Sequence, residues 1–93
     1  MSEAEARRWL VVGKVQGVGY RYFARQAARA IGVRGWIRNL PDGSCEVQVA
    51  GTADTLQRFR EELLRGPRGA RVEGIEEERL VQVQTWQGFN IVF

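Results

Sequence analysis

This sequence contains no histidine among its 93 residues. Without imidazole side chains, the chain has no Cys/His zinc site, no Ser-His-Asp triad and no side chain that ordinarily titrates near neutral pH. The sequence offers no second cluster of metal ligands to accompany the acidic run Glu76-Glu77-Glu78, so we interpret this run as a solvated strand edge. These absences predict a function that needs no metal ion and no other cofactor.

Disulfide pairs, membrane-length apolar runs and a secretory leader are also missing. The single cysteine, Cys45, excludes an internal disulfide and suits a reducing compartment. No apolar run approaches the roughly 20 residues that span a bilayer. The charged N-terminus lacks the apolar core of a signal peptide. We therefore expect a cytoplasmic protein with no membrane contact.

The composition is that of an ordinary globular chain, with 44% hydrophobic and 27% charged residues. The length predicts one domain, residues 1–93, and we expect a monomer because no extra apolar face is evident. Residues 1–39 carry eight Arg or Lys and two acids, whereas residues 40–93 carry six and nine. This asymmetry indicates either a nucleic-acid surface or one anion site, and the net charge of +3 favours the second.

A glycine-rich segment, Gly13-Lys14-Val15-Gln16-Gly17-Val18-Gly19-Tyr20-Arg21, separates a predicted strand from a predicted helix. Glycines let the backbone turn sharply and expose N–H groups, and the open N-terminus of a helix favours an anion. Arg21 adds a planar fork of donors suited to phosphate or carboxylate. The spacing fits neither the dinucleotide pattern nor a P-loop. The segment therefore indicates either a small oxyanion pocket, most simply for a phosphoryl group, or a purely structural turn.

Hydrophobic periodicity and turn residues predict five strands and two helices. In chain order these are strand Arg7–Val15, helix Tyr22–Ile31, strand Arg34–Asn39, strand Ser44–Gly51, a helix from Thr52 to the Gly66-Pro67 stop, strand Ala70–Leu80 and strand Phe89–Phe93. Right-handed crossovers place both helices on one face of a mostly antiparallel sheet. The predicted fold class is α+β, a ferredoxin-like βαββαβ sandwich with a short C-terminal strand.

The same patterns predict which side chains face the core. The predicted core positions are Trp9, Val11, Gly13 and Val15; Phe23, Ala27 and Ala30/Ile31; Cys45, Val47 and Val49; Leu56, Phe59 and Leu63; and Phe89, Ile91 and Phe93. Cys45 is therefore better interpreted as an inert core residue than as a nucleophile. Tryptophans 9, 36 and 86 all lie in strand patterns, where core packing explains them better than a stacking platform for bases.

Asn39 ends the second predicted strand, directly before the turn Leu40-Pro41-Asp42-Gly43. A strand-end amide can project into a site at the edge of a sheet, where it can both donate to and accept from a bound water. Asparagine is also a favoured turn residue. From the residues alone, the turn role is the better supported of the two.

Two segments resemble the signatures of the acylphosphatase family. The first is Val11–Arg21, and the second is Gly35–Gly43 with Val47 and Gly51 beyond it. Length, element order and the closing Phe-Asn-Ile-Val-Phe strand are similar as well, so the resemblance covers nearly the whole chain. The chain departs from the usual pattern at three apolar or aromatic positions that carry none of the implied chemistry. These are Tyr20 for the commoner Phe or Met, Ile37 for a smaller residue and Cys45 for the usual Val.

The resemblance implies hydrolysis of an acyl phosphate, a small molecule, to carboxylate and inorganic phosphate. The implied phosphate-binding residues are Gln16, Gly17, Val18, Gly19, Tyr20 and Arg21, which wrap the phosphoryl group with backbone N–H groups. Arg21 also holds it from the side and Asn39 orients the attacking water, so these two are the implied catalytic residues. Inorganic phosphate and sulfate are expected to compete with the substrate. No metal and no cofactor are implied.

An alternative function is a non-catalytic binding module of the same fold. Such a module would recognise an anion, a carbamoyl-phosphate-like ligand or RNA, and acylphosphatase-like domains do occur within larger carbamoyl-transferring proteins. RNA binding would need exposed aromatic residues on the central strands, and only the ambiguous tryptophans offer any. Both signatures are intact in this chain, which favours the enzyme and a function without nucleic acid.

Overall fold

The computed structural model describes residues 4–81 and 85–93. Its elements in chain order are β1 (Glu5–Lys14), α1 (Tyr20–Ile31), β2 (Arg34–Asn39), β3 (Cys45–Gly51), α2 (Ala53–Arg65), β4 (Arg71–Leu80) and β5 (Phe89–Ile91). Residues 1–3, part of the charged N-terminus that predicts no signal peptide, lie outside the described residues. Among the residues that are described, no helix is both long and apolar enough to cross a membrane.

The strands form one sheet in the order β4-β1-β3-β2-β5. β1 pairs antiparallel with β3 and β4, β2 pairs antiparallel with β3, and β2 pairs parallel with β5. This topology confirms the predicted ferredoxin-like βαββαβ sandwich with its short C-terminal strand. Because β1 and β2 both run antiparallel to the strand between them, their C-terminal ends meet at the same edge of the sheet. The loop after β1 and the turn after β2 are therefore neighbours.

The core lies between the sheet and the two helices. The predicted strand positions Trp9, Val11 and Val15, and likewise Cys45, Val47 and Val49, are buried. Gly13, predicted on the same face, is only half-buried, and the β1–β4 register shifts between Val12 and Gly13. Aromatic rings link the layers, since the ring centroids of Trp9 and Phe59 lie 5.9 Å apart and those of Phe59 and Phe89 lie 5.4 Å apart. Truncating one such buried ring typically costs about 3–5 kcal/mol of stability, so these contacts fix the helices on the sheet.

Helix α1 buries a different stripe from the predicted one. Its buried residues are Tyr20, Ala24 and Ala28. The predicted stripe is half-buried or exposed instead, at Phe23, Ala27, Ala30 and Ile31. α1 begins at Tyr20, earlier than predicted. The Tyr20 ring is buried and its hydroxyl donates to Leu63 O at 2.7 Å across the core, so the face that carries Tyr20 packs inward. Residues four apart share one helix face, so the two small alanines below Tyr20 let α1 lie close to the sheet.

Helix α2 follows its prediction. Thr52 is the N-cap, and its side-chain oxygen accepts a hydrogen bond from Thr55 N at 3.2 Å. The predicted apolar stripe of Leu56, Phe59 and Leu63 is buried. A Thr cap of this kind stabilises a helix by about 1 kcal/mol. Leu63, whose backbone oxygen accepts the Tyr20 hydroxyl, belongs to this helix.

The C-terminal strand is shorter than predicted. β5 ends at Ile91, and Phe93 is fully exposed, so the predicted alternation of Phe89, Ile91 and Phe93 on one buried face is wrong at its last position. Ile91 pairs with Ile37 of β2, and β2 itself ends soon afterwards at Asn39. Val92 N still donates to Ile37 O at 2.9 Å, but Phe93 lies beyond the last β2–β5 register pair of the described residues.

The tryptophans lie in three different environments. Trp9 is buried in the core, as predicted. Trp36 is half-buried in β2, and the Arg38 guanidinium lies 5.6 Å from the centre of its ring. Trp86 is half-buried but precedes β5 and belongs to no strand, so its assignment to a strand is wrong. The pattern around Trp86 alternated, but no neighbouring backbone pairs with it in the described part of the chain.

The outer face of the sheet holds a buried carboxylate. Glu46 is only 3% exposed and accepts hydrogen bonds from Arg8 Nε at 2.6 Å and from Arg38 Nε at 2.7 Å. Burial raises the pKa of Glu46, but the hydrogen bonds from these arginines outweigh it and leave the pKa below its ordinary value. This triad joins β1, β3 and β2 across the sheet.

The predicted solvated edge, Glu76–Glu78, is exposed on the edge strand β4.

Candidate functional site

Two glycines shape the loop between β1 and α1. Gly17 and Gly19 each have a φ of +75°, in the left-handed region that residues with a Cβ rarely adopt. Gly19 is the N-cap of α1, and it is in the left-handed conformation with no side-chain cap. The loop therefore leads bare backbone, rather than a capping side chain, into the start of the helix.

The first turn of α1 presents backbone donors at this point. The first helical hydrogen bond is donated by Phe23 N to Gly19 O at 3.0 Å. The N–H groups of Tyr20, Arg21 and Tyr22 precede that bond and have no acceptor within the helix. The helix dipole adds a partial positive charge at the same end. This geometry can accept an anion from solution.

A pocket of about 130 Å³ lies at this end of α1. It is lined by Val15, Gln16, Gly17, Gly19, Tyr20, Arg21, Tyr22 and Asn39. The structure thus brings together all of the sequence-predicted site residues except Val18, whose side chain packs half-buried against the core. The volume is well below the roughly 300–1,000 Å³ of pockets for drug-sized ligands. It suits a small anion accompanied by a few water molecules.

The Gln16 side chain braces the pocket. Its Nε2 donates to Leu40 O at 2.8 Å and to Ser44 O at 2.9 Å. Both acceptors belong to the hairpin turn between β2 and β3. The Gln16 carboxamide therefore connects the loop after β1 to this turn. Sequence reasoning placed Gln16 in the anion loop but missed this contact, because nothing local to Gln16 indicates a partner 24 residues away.

The hairpin turn that carries Asn39 is itself held by a short network. Asp42 Oδ1 accepts hydrogen bonds from the backbone N and the hydroxyl of Ser44, at 3.0 and 2.6 Å. The Ser44 hydroxyl is the main reason that the pKa of the Asp42 carboxyl lies below its ordinary value. Leu40 N closes the turn by donating to Ser44 O at 2.9 Å. Asn39 is therefore at the end of a strand whose turn is fixed on both sides.

The Asn39 carboxamide contacts the core as well as the pocket. Cys45 Sγ lies 3.3 Å from Asn39 Oδ1 and 3.5 Å from Val15 O. Asn39 and Cys45 are register partners in the β2–β3 pair. The predicted turn role of Asn39 finds no support among its hydrogen bonds in the described residues, since the turn is closed by its neighbours. No sequence signal predicted the contact with Cys45.

Arg21 places a positive charge at the pocket. No carboxylate lies within 4.0 Å of its guanidinium among residues 4–81 and 85–93. The exposed Phe93 ring lies beside it instead, with its centroid 5.1 Å from the guanidinium carbon. An aromatic face attracts a cation but does not neutralise its charge. Arg21 therefore keeps its full capacity to bind an anion, and Phe93 is a neighbour that the sequence did not predict.

Larger depressions elsewhere on the molecule are less suited to an anion, as the two of greatest volume among the described residues show. One, of about 290 Å³, lies between the helices and contains Arg58 together with Glu61 and Glu62. The other, of about 230 Å³, contains Arg7 and Arg60 beside Glu77. In both, carboxylates stand among the arginines and offset their charge. The smaller pocket at α1 has backbone donors, an arginine and no carboxylate in its lining.

Among the described residues, the pocket lining contains no carboxylate, no thiol and no imidazole. The Tyr20 hydroxyl is engaged with Leu63 O, and burial raises the pKa of Tyr20 far above its ordinary value, so this phenol stays neutral. Within the described residues, no group of three or more acidic or cysteine side chains is arranged to hold a metal ion. The site can therefore bind and polarise an anion and position water, but it offers no activated nucleophile.

Comparisons with known proteins agree on one family. The family model described as acylphosphatase matches residues 7–91. A relative from Solibacter usitatus (strain Ellin6076) named acylphosphatase is 46% identical over 91 residues, which cover 98% of this chain and 94% of the relative.

Solved structures extend the comparison to the fold. The crystal structure of acylphosphatase from Bacillus subtilis matches with a TM-score of 0.92 at 32% identity, covering 96% of this chain and 99% of that one. T. kodakarensis HypF matches with a TM-score of 0.84 at 29% identity over 96% of this chain, but only 12% of that chain is covered. The same fold thus occurs both as a protein of this size and as a small part of a much larger one.

Proposed function

The chain belongs to the acylphosphatase family, and on that premise we propose that it hydrolyses the carboxyl–phosphate bond of small acyl phosphates to carboxylate and inorganic phosphate. The family consists of hydrolases, and its substrates are small molecules. The observation that carries the proposal is the pocket at α1, which is lined by Arg21, by Asn39 and by residues of the glycine loop. Its size and charge suit a phosphoryl group with a water beside it.

The phosphoryl group binds at the N-terminus of α1. Backbone N–H groups of the Gln16–Arg21 loop surround its oxygens, and the Arg21 guanidinium donates two parallel hydrogen bonds from the side. Charge on the three equatorial oxygens is stabilised in the transition state by donors that are already in place. The rigid turn at Gly19 and the Gln16 brace hold those donors in position before the substrate arrives.

Asn39 positions the attacking water. It stands at the pocket wall contributed by β2, beside the loop from β1. The water oxygen forms a bond to phosphorus while the bond from phosphorus to the acyl oxygen breaks, and the carboxylate departs with that bonding pair. A phosphate oxygen takes the proton that the water releases. No protein base is needed, because phosphoryl transfer of this loose kind depends mainly on positioning and charge stabilisation.

The leaving group explains why hydrolysis at this site needs neither a general acid nor a metal ion. A carboxylate is a weak base, so it departs without a general acid. The alkoxide of an alkyl phosphate is a strong base and would need an acid or a metal ion, and the described pocket lining contains no carboxylic acid and no imidazole. We therefore propose that the enzyme is selective for acyl phosphates over phosphate monoesters and that it works without a metal.

Hydrolysis of benzoyl phosphate by the purified protein tests this function, with an alkyl phosphate as the matched substrate and EDTA in both reactions. We expect rapid hydrolysis of benzoyl phosphate only. Inorganic phosphate and sulfate should inhibit competitively, because their tetrahedral oxygens meet the same donors. Equal rates on both substrates, or activity that returns only with added Mg²⁺ or Zn²⁺, would contradict the proposal.

The binding module stays the second candidate. It is favoured by the occurrence of this fold as 12% of the much larger T. kodakarensis HypF chain. A module of this kind would bind inorganic phosphate with no turnover of benzoyl phosphate. We also propose that this chain is a monomer and that it works in the cytoplasm, whose reducing environment suits its single buried thiol at Cys45. Sedimentation equilibrium tests whether the chain is a monomer.

A further inference from the structure

Cys45 lies between the two segments that build the pocket. Its side chain is fully buried on β3, and its backbone is paired with Val11 of β1 on one side and with Asn39 of β2 on the other. The sulfur contacts both segments, at 3.3 Å from Asn39 Oδ1 and 3.5 Å from Val15 O. A valine, the usual residue of the family signature at this position, would make neither polar contact.

The thiol is a proton donor under ordinary conditions. Burial raises the pKa of Cys45 to about 11, against the opposing effect of the Arg21 charge. The sulfur therefore carries its single proton at neutral pH. Two carbonyl oxygens are within reach of that proton, and the Asn39 oxygen is the nearer. A thiolate could not donate to either of them.

The contact decides which way the Asn39 carboxamide faces. The oxygen and the nitrogen of a carboxamide diverge from the same carbon, so holding Oδ1 against Cys45 directs Nδ2 away from the sulfur. Asn39 also lines the pocket. With Oδ1 held by Cys45, Nδ2 is the end of the carboxamide that is left to donate there. Without the S–H group, the carboxamide loses the one contact within the described residues that distinguishes its oxygen end from its nitrogen end.

We propose that Cys45 is a positioning residue, whose S–H group donates to Asn39 Oδ1 and thereby holds the Asn39 N–H donors toward the attacking water. This inference rests on the proposed function, because it assigns to Cys45 the orientation of the residue that positions the water. Cys45 touches neither the substrate nor the water. Its effect on the reaction passes entirely through Asn39.

The effect of removing the thiol is small but measurable. A weak S–H···O hydrogen bond corresponds to a two- to fivefold change in an equilibrium, or about 0.5–1 kcal/mol. Cys45→Val fills a similar volume and should lower kcat by about that factor while leaving the Kd for inorganic phosphate unchanged, since Arg21 and the loop are intact. Cys45→Ser restores a donor and should recover most of the lost kcat.

A double-mutant cycle separates positioning from packing. In the Asn39→Ala background there is no carboxamide to orient, so Cys45→Val should cause no further fall in kcat. Val47→Ala is the packing control, because it shortens a buried side chain on the same face of β3. It should lower the melting temperature without the selective fall in kcat. Thermal melts of all variants confirm that each is folded at the assay temperature.

The outcomes that would overturn the inference are distinct from those that would overturn the function. The inference fails if Cys45→Val keeps the wild-type kcat, if Cys45→Ser falls as far as Cys45→Val, or if Cys45→Val lowers kcat equally with and without Asn39. In each of these cases the wild-type protein still hydrolyses benzoyl phosphate. Absence of wild-type hydrolysis would instead overturn the proposed function, and a wild-type kcat for Asn39→Ala would overturn its water-positioning role.

Discussion

Replacing Arg21 by glutamine should weaken phosphate binding about 100-fold. The guanidinium has no carboxylate within 4.0 Å in the described part of the chain, so its charge is free to act on a bound anion. A hydrogen bond to a charged group contributes about 1.5–3 kcal/mol, and a bidentate arginine makes two such bonds at once. A loss near 3 kcal/mol corresponds to a Kd about two orders of magnitude higher.

The structure offers a matched control one helical turn away. Arg25 carries the same charge on the same helix, but its guanidinium lies 5.0 Å from the centre of the Tyr22 ring and it does not line the pocket. That ring belongs to the pocket lining, so Arg25 adds at most a weak attraction that acts through solvent and is screened by physiological salt. Arg25→Gln should therefore raise the phosphate Kd by about threefold or less, and added salt should remove that effect.

Titration calorimetry with inorganic phosphate gives the Kd for each variant, and circular dichroism confirms the fold. Arg21→Lys belongs in the series because it keeps the charge but loses the planar fork, so it should fall between wild type and Arg21→Gln. Equal Kd values for Arg21→Gln and Arg25→Gln would show that only the overall charge matters. A wild-type Kd for Arg21→Gln would refute the assignment of the anion to this pocket.

Two further predictions concern Asn39 and Glu46. Asn39→Ala should lower kcat by about 10²–10³, as removal of one preorganised polar group does elsewhere, with the phosphate Kd within a factor of two or so of wild type; parallel losses of kcat and binding would contradict this. Glu46→Gln should lower the free energy of unfolding at pH 7 by about 1–2 kcal/mol, because the hydrogen bonds from Arg8 and Arg38 lose their charged acceptor. The folded-state pKa of Glu46 lies below its ordinary value of 4.5, so this stabilisation is complete above that pH and disappears as the pH falls through the folded pKa. Denaturant unfolding of both proteins between pH 7 and pH 3 checks the trend, and a difference that grows in acid would refute it.

Much of the fold could be predicted from local patterns. The alternation in β3 and the stripe of α2 identified their buried faces, because each depends only on the period of the element. Helix α1 was harder, because Tyr20, the residue that selects its buried face, lies outside the predicted helix. Gly19 starts α1 at Tyr20, and the tyrosine ring enters the core because Leu63 O is there to accept its hydroxyl. A partner on another element cannot be inferred from the period.

In the candidate site, too, the local features could be predicted and the contacts between elements could not. The glycine loop and Asn39 were predicted as separate features, and the resemblance to a family joined them. Their proximity follows from the parallel directions of β1 and β2, which the element order implies. The contacts that hold the site could not be predicted, since the Gln16 brace and the Cys45 contact depend on distances between elements. The burial of Glu46 was missed for a similar reason, because alternation gives the face of a strand and not the neighbours that cover it.

Hydrolysis of benzoyl phosphate in water enriched in oxygen-18 tests the central claim most directly. The account places the attacking water against phosphorus, in a pocket whose donors surround the phosphoryl oxygens. One labelled oxygen should therefore appear in the inorganic phosphate and none in the benzoate, with EDTA present throughout, and Arg21→Gln should greatly slow the appearance of the label. Label in the benzoate would contradict the account by placing the attack at the carbonyl carbon, and so would the absence of any reaction catalysed by the protein.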